Sequence, residues 1–331
     1  MRTRRLGTTD IELTEIGLGT WVFGGRWGGA DDADSAAACH AALDAGINWI
    51  DTADIYGQGR AEKVVGRVVA ERDDDVIVST KGGVAWEFDE GLRIWREASA
   101  DYLKMSLERS LTALAMDSVD IYHVHWPVPG VDPAETIGAL DEMRREGKVR
   151  AIAVSNYDRD QLEAAGAIAQ IDAFQAGYHM MRPEIEGGEL QWCAEHGAGV
   201  LAYGPIAHGL FTGKMDESTT FAENDWRAGS EFFTDDAWKT RVAVSRQLAA
   251  IADDAGRAGG LAELAVAWVL RRPEVTSAII GGRDAAQASA DARLADTPLT
   301  EDEQAAIAEL LARHPETARP YGHGEPPTAS N

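Results

Sequence analysis

Short runs of β-branched and aliphatic residues alternate with amphipathic stretches along this chain, and the alternation recurs about eight times. Spans 16–21, 48–53, 75–81, 119–125, 149–156, 173–179, 199–205 and 275–281 predict strands. Their near-continuous apolar character, as in Val76-Ile77-Val78 and Ala151-Ile152-Ala153-Val154, suits strands buried on both faces. Spans 32–45, 61–71, 100–115, 134–146, 159–168 and 184–195 predict helices, with a further helical group toward the C-terminus. Asp31, Asp158 and Asp132 (followed by Pro133) supply N-caps, and Gly46, Gly147 and Gly197 supply helix stops. Eight strand–helix units at this spacing give an α/β fold, either a closed (β/α)8 TIM barrel or a long doubly wound sheet. Gly17-x-Gly19 runs on into Thr20-Trp21 instead of a helix with a third glycine, which weakens the dinucleotide-binding sheet and favours the barrel. Residues 2–13, around Gly7-Thr8-Thr9-Asp10, predict a β-hairpin ahead of the repeats. Residues 206–235 lack periodicity, and a loop this long after the seventh strand predicts a cover for a ligand. Residues 1–315 read as one barrel domain and 316–331 as a C-terminal tail.

Composition narrows the partners. Of 331 residues, 45% are hydrophobic, enough for a large core and too many for a disordered chain. The 55 acidic residues outnumber the 31 basic ones, leaving a net charge of −24. That balance excludes nucleic acid and anionic membrane surfaces, both of which recruit basic patches. Only six of the cations are lysine (Lys63, Lys81, Lys104, Lys148, Lys214 and Lys239), the habit of a halophilic, salt-adapted protein, although a GC-rich genome writes similar chains. No apolar run reaches about 18 residues, so no membrane span is expected, and Met1-Arg2-Thr3-Arg4-Arg5 leads into no signal-like apolar core. Cys39 and Cys193 are isolated, which predicts buried thiols in a reducing, cytoplasmic setting and no thiolate metal site.

A barrel of this kind works at the C-terminal ends of its strands. Those ends read Trp21, Asp51, Lys81, His125, Ser155-Asn156, Gln175 with Tyr178, Tyr203 and Gly281-Gly282-Arg283, with Tyr56 five residues after Asp51. Singly, Asp51 with Lys81 would be a plain salt bridge, Tyr56 a loop aromatic and His125 a core histidine. Together at strand ends they form a convergent polar set. His123-x-His125 puts two imidazoles on one face of a strand, the pattern of a metal-dependent barrel hydrolase. The further histidines such a site needs are missing, and Lys81 would repel a cation, so no metal is expected and His123 reads as a packed neighbour one layer deeper.

The chain also resembles the aldo-keto reductases, in particular a bacterial branch of general stress and inositol-operon reductases. The resemblance is carried by Ile16-Gly17-Leu18-Gly19-Thr20-Trp21, by Asp51-Thr52-Ala53-Asp54-Ile55-Tyr56-Gly57 with Glu62 and Gly66, and by Ser79-Thr80-Lys81. It continues through Val119-Asp120-Ile121-Tyr122-His123-Val124-His125-Trp126-Pro127, the run from Gly147 to Asn156, Leu210-Phe211-Thr212-Gly213-Lys214 and Ile280-Gly281-Gly282-Arg283. It implies reduction of an aldehyde or ketone, or the reverse oxidation of an alcohol or sugar, by hydride transfer from NAD(P)H. Tyr56 would be the general acid/base, Lys81 would lower its pKa, Asp51 would keep Lys81 charged, and His125 would orient the carbonyl. The implied cofactor contacts begin with Thr20, Trp21 and Asp51, then Ser155, Asn156 and Gln175 at the carboxamide, and Tyr203 stacked on the nicotinamide. Gly204, Pro205, Ile206, Ala207, His208 and Gly209 would offer backbone to the pyrophosphate, with Lys214 and Arg227 closing from the long loop. Gly281, Gly282, Arg283, Gln287 and Asp291 would meet the adenosine end. There the chain departs from the family pattern, with Asp284 beside Arg283 and Asp291 in place of asparagine; NADP(H) is favoured, with NAD(H) or dual use as the alternative. Trp21, Trp86 and Trp126 would wall the substrate pocket, whereas Trp27 and Trp95 read as packing. The partner is a small carbonyl compound or sugar, and the assembly a monomer or weak homo-oligomer. A non-catalytic, cofactor-sensing regulatory subunit on the same fold is the alternative from another class.

Overall fold

In a computed structural model the described residues are 1–29, 31–88 and 91–318. Among the described residues twelve strands form: β1 (Thr3–Arg5), β2 (Glu12–Thr14), β3 (Ile16–Gly19), β4 (Trp49–Asp51), β5 (Ile77–Gly82), β6 (Val84–Phe88), β7 (Leu92–Arg96), β8 (Val119–Val124), β9 (Val149–Ser155), β10 (Ala173–Gly177), β11 (Gly199–Tyr203) and β12 (Val275–Gly281). Strands β3, β4, β5, β8, β9, β10, β11 and β12 pair in parallel and close into a barrel, with β12 against β3. The eight strands expected from the apolar runs are these eight, mostly trimmed by one to three residues at an end. The expected hairpin is β1 with β2, paired Arg4 to Leu13. Asp31, Asp132 and Asp158 cap their helices through side-chain oxygens, and Gly46, Gly147 and Gly197 take the left-handed conformation that ends a helix.

Two expectations change. The stretch 184–195 divides into a 3-10 turn, Glu184–Gly187, and a helix, Glu189–His196, because consecutive glycines break the backbone ladder. After β5 the chain adds an antiparallel hairpin, β6 with β7, in which Trp86 faces Ile94 and Ala85 faces Trp95. Its signal was present as alternating apolar and charged residues on either side of Gly91. Cys39 and Cys193 are free and buried, as expected. Among the described residues no helix is long and apolar enough to cross a membrane. The expected domain limit at 315 falls within a 3-10 turn, Pro315–Thr317, that Arg241 ties down by donating to the Thr317 carbonyl at 3.2 Å; residues 319–331 lie outside the described residues.

Inward-facing residues explain why the chemistry sits at one end. The lower lumen is filled by Trp49, Ile121, Ala151, Ala153, Leu201 and Ile279, plugged from below by Leu6, Ile11 and Leu13 of the hairpin segment. Two residues further along the same faces come Asp51, His123, Ser155 and Tyr203. A dry floor thus supports a polar layer. Gly17 leaves the gap that Trp49 occupies, where a Cβ would lie 2.1 Å from the indole.

Helix Arg60–Ala70 presses Gly66 onto the C-terminal end of helix Ala100–Leu114, and a Cβ there would stand 2.2 Å from the Leu114 carbonyl oxygen. Backbone cannot yield as a side chain can, so Gly66→Ala is expected to cost about 1–3 kcal/mol of stability. Gly138, inside helix Pro133–Arg145, has open space around its Cβ position, and Gly138→Ala is expected to gain about 0.5–1 kcal/mol. Urea denaturation of the two variants checks both signs.

Candidate active site

β4 ends on Asp51 and β5 carries Lys81 one strand away, and both side chains turn into the barrel mouth. Lys81 is completely buried; its Nζ donates to Asp51 Oδ2 at 2.6 Å and to the Thr52 carbonyl at 2.8 Å. Burial pulls the Lys81 pKa down, and Asp51 works against that pull. Asp51 Oδ1 accepts from Gln175 Nε2 at 2.9 Å and from Ser79 Oγ at 3.2 Å. Tyr56, in the turn after β4, lies with its ring centroid 5.3 Å from Lys81 Nζ and 5.8 Å from the His125 ring, edge to face. The four residues expected at the chemical centre are therefore neighbours.

The titration of Tyr56 differs from the expectation. Its phenol is pushed well above the usual value, first by burial and then by the negative charge of Asp51, with Tyr203 and Asp54 adding to it. The carboxylate 2.6 Å from Nζ cancels much of the ammonium's field at the ring, so Lys81 does not pull the phenol down. His125 is held well below its usual pKa, first by burial and then by Lys81 and Arg96, so its imidazole is neutral. Behind the group, Thr80 donates to Glu62 Oε1 at 2.7 Å and Ser106 to Asp54 Oδ2 at 2.5 Å, and burial raises both carboxyls.

A cleft of about 3080 Å3 runs from this centre along the barrel mouth to the helix after β12. Trp21, Asp51, Tyr56, His125 and Trp126 line one end, and Ser155, Asn156, Gln175 and Tyr203 line the adjoining wall. Gly204, Ile206, His208, Gly209 and Arg227 border the middle, and Lys214, Gly281, Arg283, Gln287 and Asp291 the far end. Lys81 lies beneath the floor. Thr20, Pro205, Ala207, Gly282 and Trp86 stay out of the lining. Thr20 is buried, bonding the Asp51 carbonyl through Oγ1 at 3.0 Å, and Trp86 lies under the Arg109 guanidinium at 4.7 Å. Val84, Leu92 and Ile94 are what the added hairpin contributes to the cleft.

The wall is internally bonded. Tyr203 donates to Asn156 Oδ1 at 2.9 Å, and Asn156 Nδ2 donates to the His125 carbonyl and to Ser155 Oγ, both at 3.1 Å. Asn156 holds this geometry from a left-handed backbone, φ 62°. Arg227 forms a bidentate pair with Asp225 (2.9 and 2.6 Å) and donates to the His208 carbonyl at 3.2 Å, so its charge is neutralised within the long loop. Trp226 N donates to the Arg26 carbonyl at 3.0 Å, and Trp27 bridges to Asp225, which straps the loop after β11 to the loop after β3. Trp21, Trp226 and Trp27 cluster under this strap at 5.0–5.5 Å between centroids. Sequence reasoning missed Asp225 and Trp226; only the fold brings residues 26–27 beside 225–226. It also missed Arg96, whose guanidinium lies 4.3 Å from the Trp126 ring with Nε and Nη2 unpartnered.

At the far end, Asp284 caps the last short helix by accepting from Gln287 N at 2.9 Å, a structural use for the carboxylate beside Arg283. Asp291 is largely buried, and burial raises its pKa to about 7; its Oδ2 has no partner. The cleft's length, Gln175 Oε1 left over at one end, the cations Lys214 and Arg283, and the orphaned Asp291 oxygen at the other fit an elongated dinucleotide.

The sequence matches the model of the aldo/keto reductase family over residues 15–312. The chain is 35% identical over 315 residues to the aldo-keto reductase YhdN of Bacillus subtilis, covering 94% of each protein. It is 32% identical to the NADH-specific methylglyoxal reductase of Escherichia coli, over 85% of this chain and 89% of that one. Among solved structures, the glycerol dehydrogenase AKR11B4 of Gluconobacter oxydans superimposes with a TM-score of 0.88 at 33% identity, covering 98% of both chains. Fold, site geometry and these likenesses agree: the chain belongs to the aldo/keto reductase family and is an oxidoreductase.

Proposed function

We propose that the protein reduces a small aldehyde or ketone with NAD(P)H, and oxidises the corresponding alcohol in reverse, with Tyr56 as the proton donor and acceptor. The observation that carries this reading is the buried Asp51–Lys81 pair with Tyr56 and neutral His125 gathered over it. A bound NAD(P)H supplies the hydride, and Ser155, Asn156, Gln175 and Tyr203 would hold its nicotinamide end beside the carbonyl. Tyr56 gives its proton to the carbonyl oxygen as charge develops there. The raised pKa keeps that proton in place until the carbonyl oxygen takes up charge. His125 is neutral and so polarises the carbonyl without adding a competing charge. Trp21 and Trp126 wall the mouth of the cleft around the substrate.

For the cofactor's far end we favour NADP(H), because Arg283 and Lys214 offer cations to a 2′-phosphate; the NADH-specific relative keeps NAD(H) or dual use as the second reading. Asp291 would face the adenine there. The protonated acid both donates and accepts, whereas the carboxylate only accepts. The acidic, lysine-poor composition is read as salt adaptation, and the protein is proposed to work in the cytoplasm as a monomer or weak homo-oligomer on a carbonyl or sugar substrate.

Tyr56→Phe is expected to abolish turnover across an aldehyde panel while leaving NADPH binding by fluorescence within about twofold. Retained turnover would overturn the proton-donor assignment, and absence of turnover in the unaltered protein would favour the regulatory-subunit reading. Cofactor affinity is expected to weaken as pH rises through about 7, where Asp291 ionises, and Asp291→Asn is expected to flatten that dependence. Ionising Asp291 also adds a negative charge beside a polyanionic cofactor. In potassium chloride titrations the affinity is expected to rise with salt, since screening relieves repulsion from a chain of net charge −24.

A further inference from the structure

His123 lies one layer below the cleft on β8, level with Lys81 on β5 and Ala153 on β9, and is completely buried. A histidine in an apolar lumen is costly unless its ring finds a partner. Here Nε2 lies 2.9 Å from Ser79 Oγ, and that hydroxyl lies 3.2 Å from Asp51 Oδ1. The directions of these bonds follow from the chemistry of the groups. Asp51, paired with Lys81 at 2.6 Å, is a carboxylate and can only accept, so Ser79 gives its hydrogen to Asp51. Ser79 Oγ must then accept from His123, which fixes the imidazole as the neutral Nε2–H tautomer. Its Nδ1 is left bare and has no partner.

A second proton on His123 would place an N–H with no acceptor in the core, close to the Lys81 ammonium. Burial, Lys81 and His125 all hold its pKa well below the usual value, so the ring stays a neutral donor. The groups facing it are Ser79 and Lys81 on β5, Asp51 on β4 through Ser79, and His125 on its own chain segment. The result is a chain of oriented donors, His123 to Ser79 to Asp51 Oδ1, met at the same oxygen by Gln175 Nε2 at 2.9 Å. Two donors on Oδ1 leave Oδ2 for Lys81 alone and fix the rotation of the carboxylate.

We propose that His123 is a positioning residue for the proton donor, acting through Ser79 to orient Asp51 and disperse its charge beneath Lys81 and Tyr56. The proposal rests on Tyr56 being that donor. Without the relay, Asp51 would lose a hydrogen bond and carry its negative charge less compensated. The phenolate above it would be disfavoured, and Tyr56 would be a weaker acid in a looser arrangement.

The test compares His123→Leu, Ser79→Ala, their double variant and His123→Gln, whose side-chain amide restores a donor toward Ser79, with Tyr56→Phe as reference. His123→Leu and Ser79→Ala are expected to lower kcat about tenfold to hundredfold, with NADPH dissociation constants within about twofold of the unaltered protein. The double variant is expected to lose no more than either single one, because both cut the same chain. His123→Gln should recover most of the rate. An ultraviolet difference titration of the Tyr56 phenolate, referenced to Tyr56→Phe, is expected to move to higher pH in the Leu and Ala variants, and it reads the effect independently of turnover. Unchanged kcat and phenol titration in His123→Leu would overturn the proposal, as would a His123→Gln variant as impaired as His123→Leu, which would mark a packing role. If His123→Leu does not fold by circular dichroism, Ser79→Ala, a one-atom deletion, decides by the same two readouts. Turnover surviving in Tyr56→Phe would instead sink the donor reading itself, while a dead Tyr56→Phe beside a normal His123→Leu removes only the positioning role.

Discussion

The structure turns on one buried charge. Lys81 is entirely withdrawn from water, and an ammonium there would shed its proton or unfold the site unless a carboxylate met it closely. Asp51 does so at 2.6 Å, and the polar inventory of the barrel mouth follows from that requirement. Gln175 and Ser79 saturate the far oxygen of Asp51, the Thr52 carbonyl takes a second ammonium hydrogen, and His123 completes Ser79. Each of these groups would be an orphan in the lumen without the pair. Trp49, Leu201 and the hairpin's Leu13 close the lumen below the pair, and a dry floor strengthens the attraction between the two charges above it.

The pair also sets the tone of Tyr56. An isolated lysine nearby would make the phenol more acidic, but a lysine already compensated by a carboxylate leaves desolvation in command, and the phenol keeps its proton. A protonated tyrosine beside a neutral histidine is the state in which a carbonyl oxygen can be both held and protonated. The same economy of charge recurs along the cleft. Arg227 is spent on Asp225, Asp284 on capping a helix, and the strap between residues 26–27 and 225–226 is built from backbone and aromatic contact. In a strongly acidic chain the exposed cations at the far end, Lys214, Arg283 and Arg293, are conspicuous on the same stretch of cleft as a carboxyl, Asp291, whose pKa burial raises to about 7.

The periodic elements were legible because local chemistry writes them. Two-sided burial writes the apolar stretches Ile77-Val78 in β5, Ala151-Ile152-Ala153-Val154 in β9 and Ala278-Ile279-Ile280 in β12, and Asp31, Asp132 and Asp158 announce the helix starts they cap. The strand-end residues Asp51, Lys81, His125, Gln175 and Tyr203 could be read as one site because a barrel places the C-terminal ends of its strands together. The hairpin of β6 and β7 was overlooked: its alternation is short, and Trp86 read as a pocket wall when its ring is covered by Arg109. Asp225 stands two residues from Arg227 in the sequence, but only the folded strap shows Nε and Nη2 paired with its carboxylate while Nη1 reaches the His208 carbonyl.

By itself the sequence determined the barrel, its hairpin plug and the identity of the reacting groups, since hydrophobic period, caps and residue chemistry are properties of short segments. The tertiary structure alone decided which charges are free. Burial, distance and hydrogen-bond direction depend on residues far apart in the chain, such as Asp51 with Gln175 and Ser79 with His123. Burial raises the Tyr56 phenol above its usual value, the strap carries Arg227 to the His208 carbonyl, and the second histidine of His123-x-His125 lines the cleft while the first supports the carboxylate beneath it.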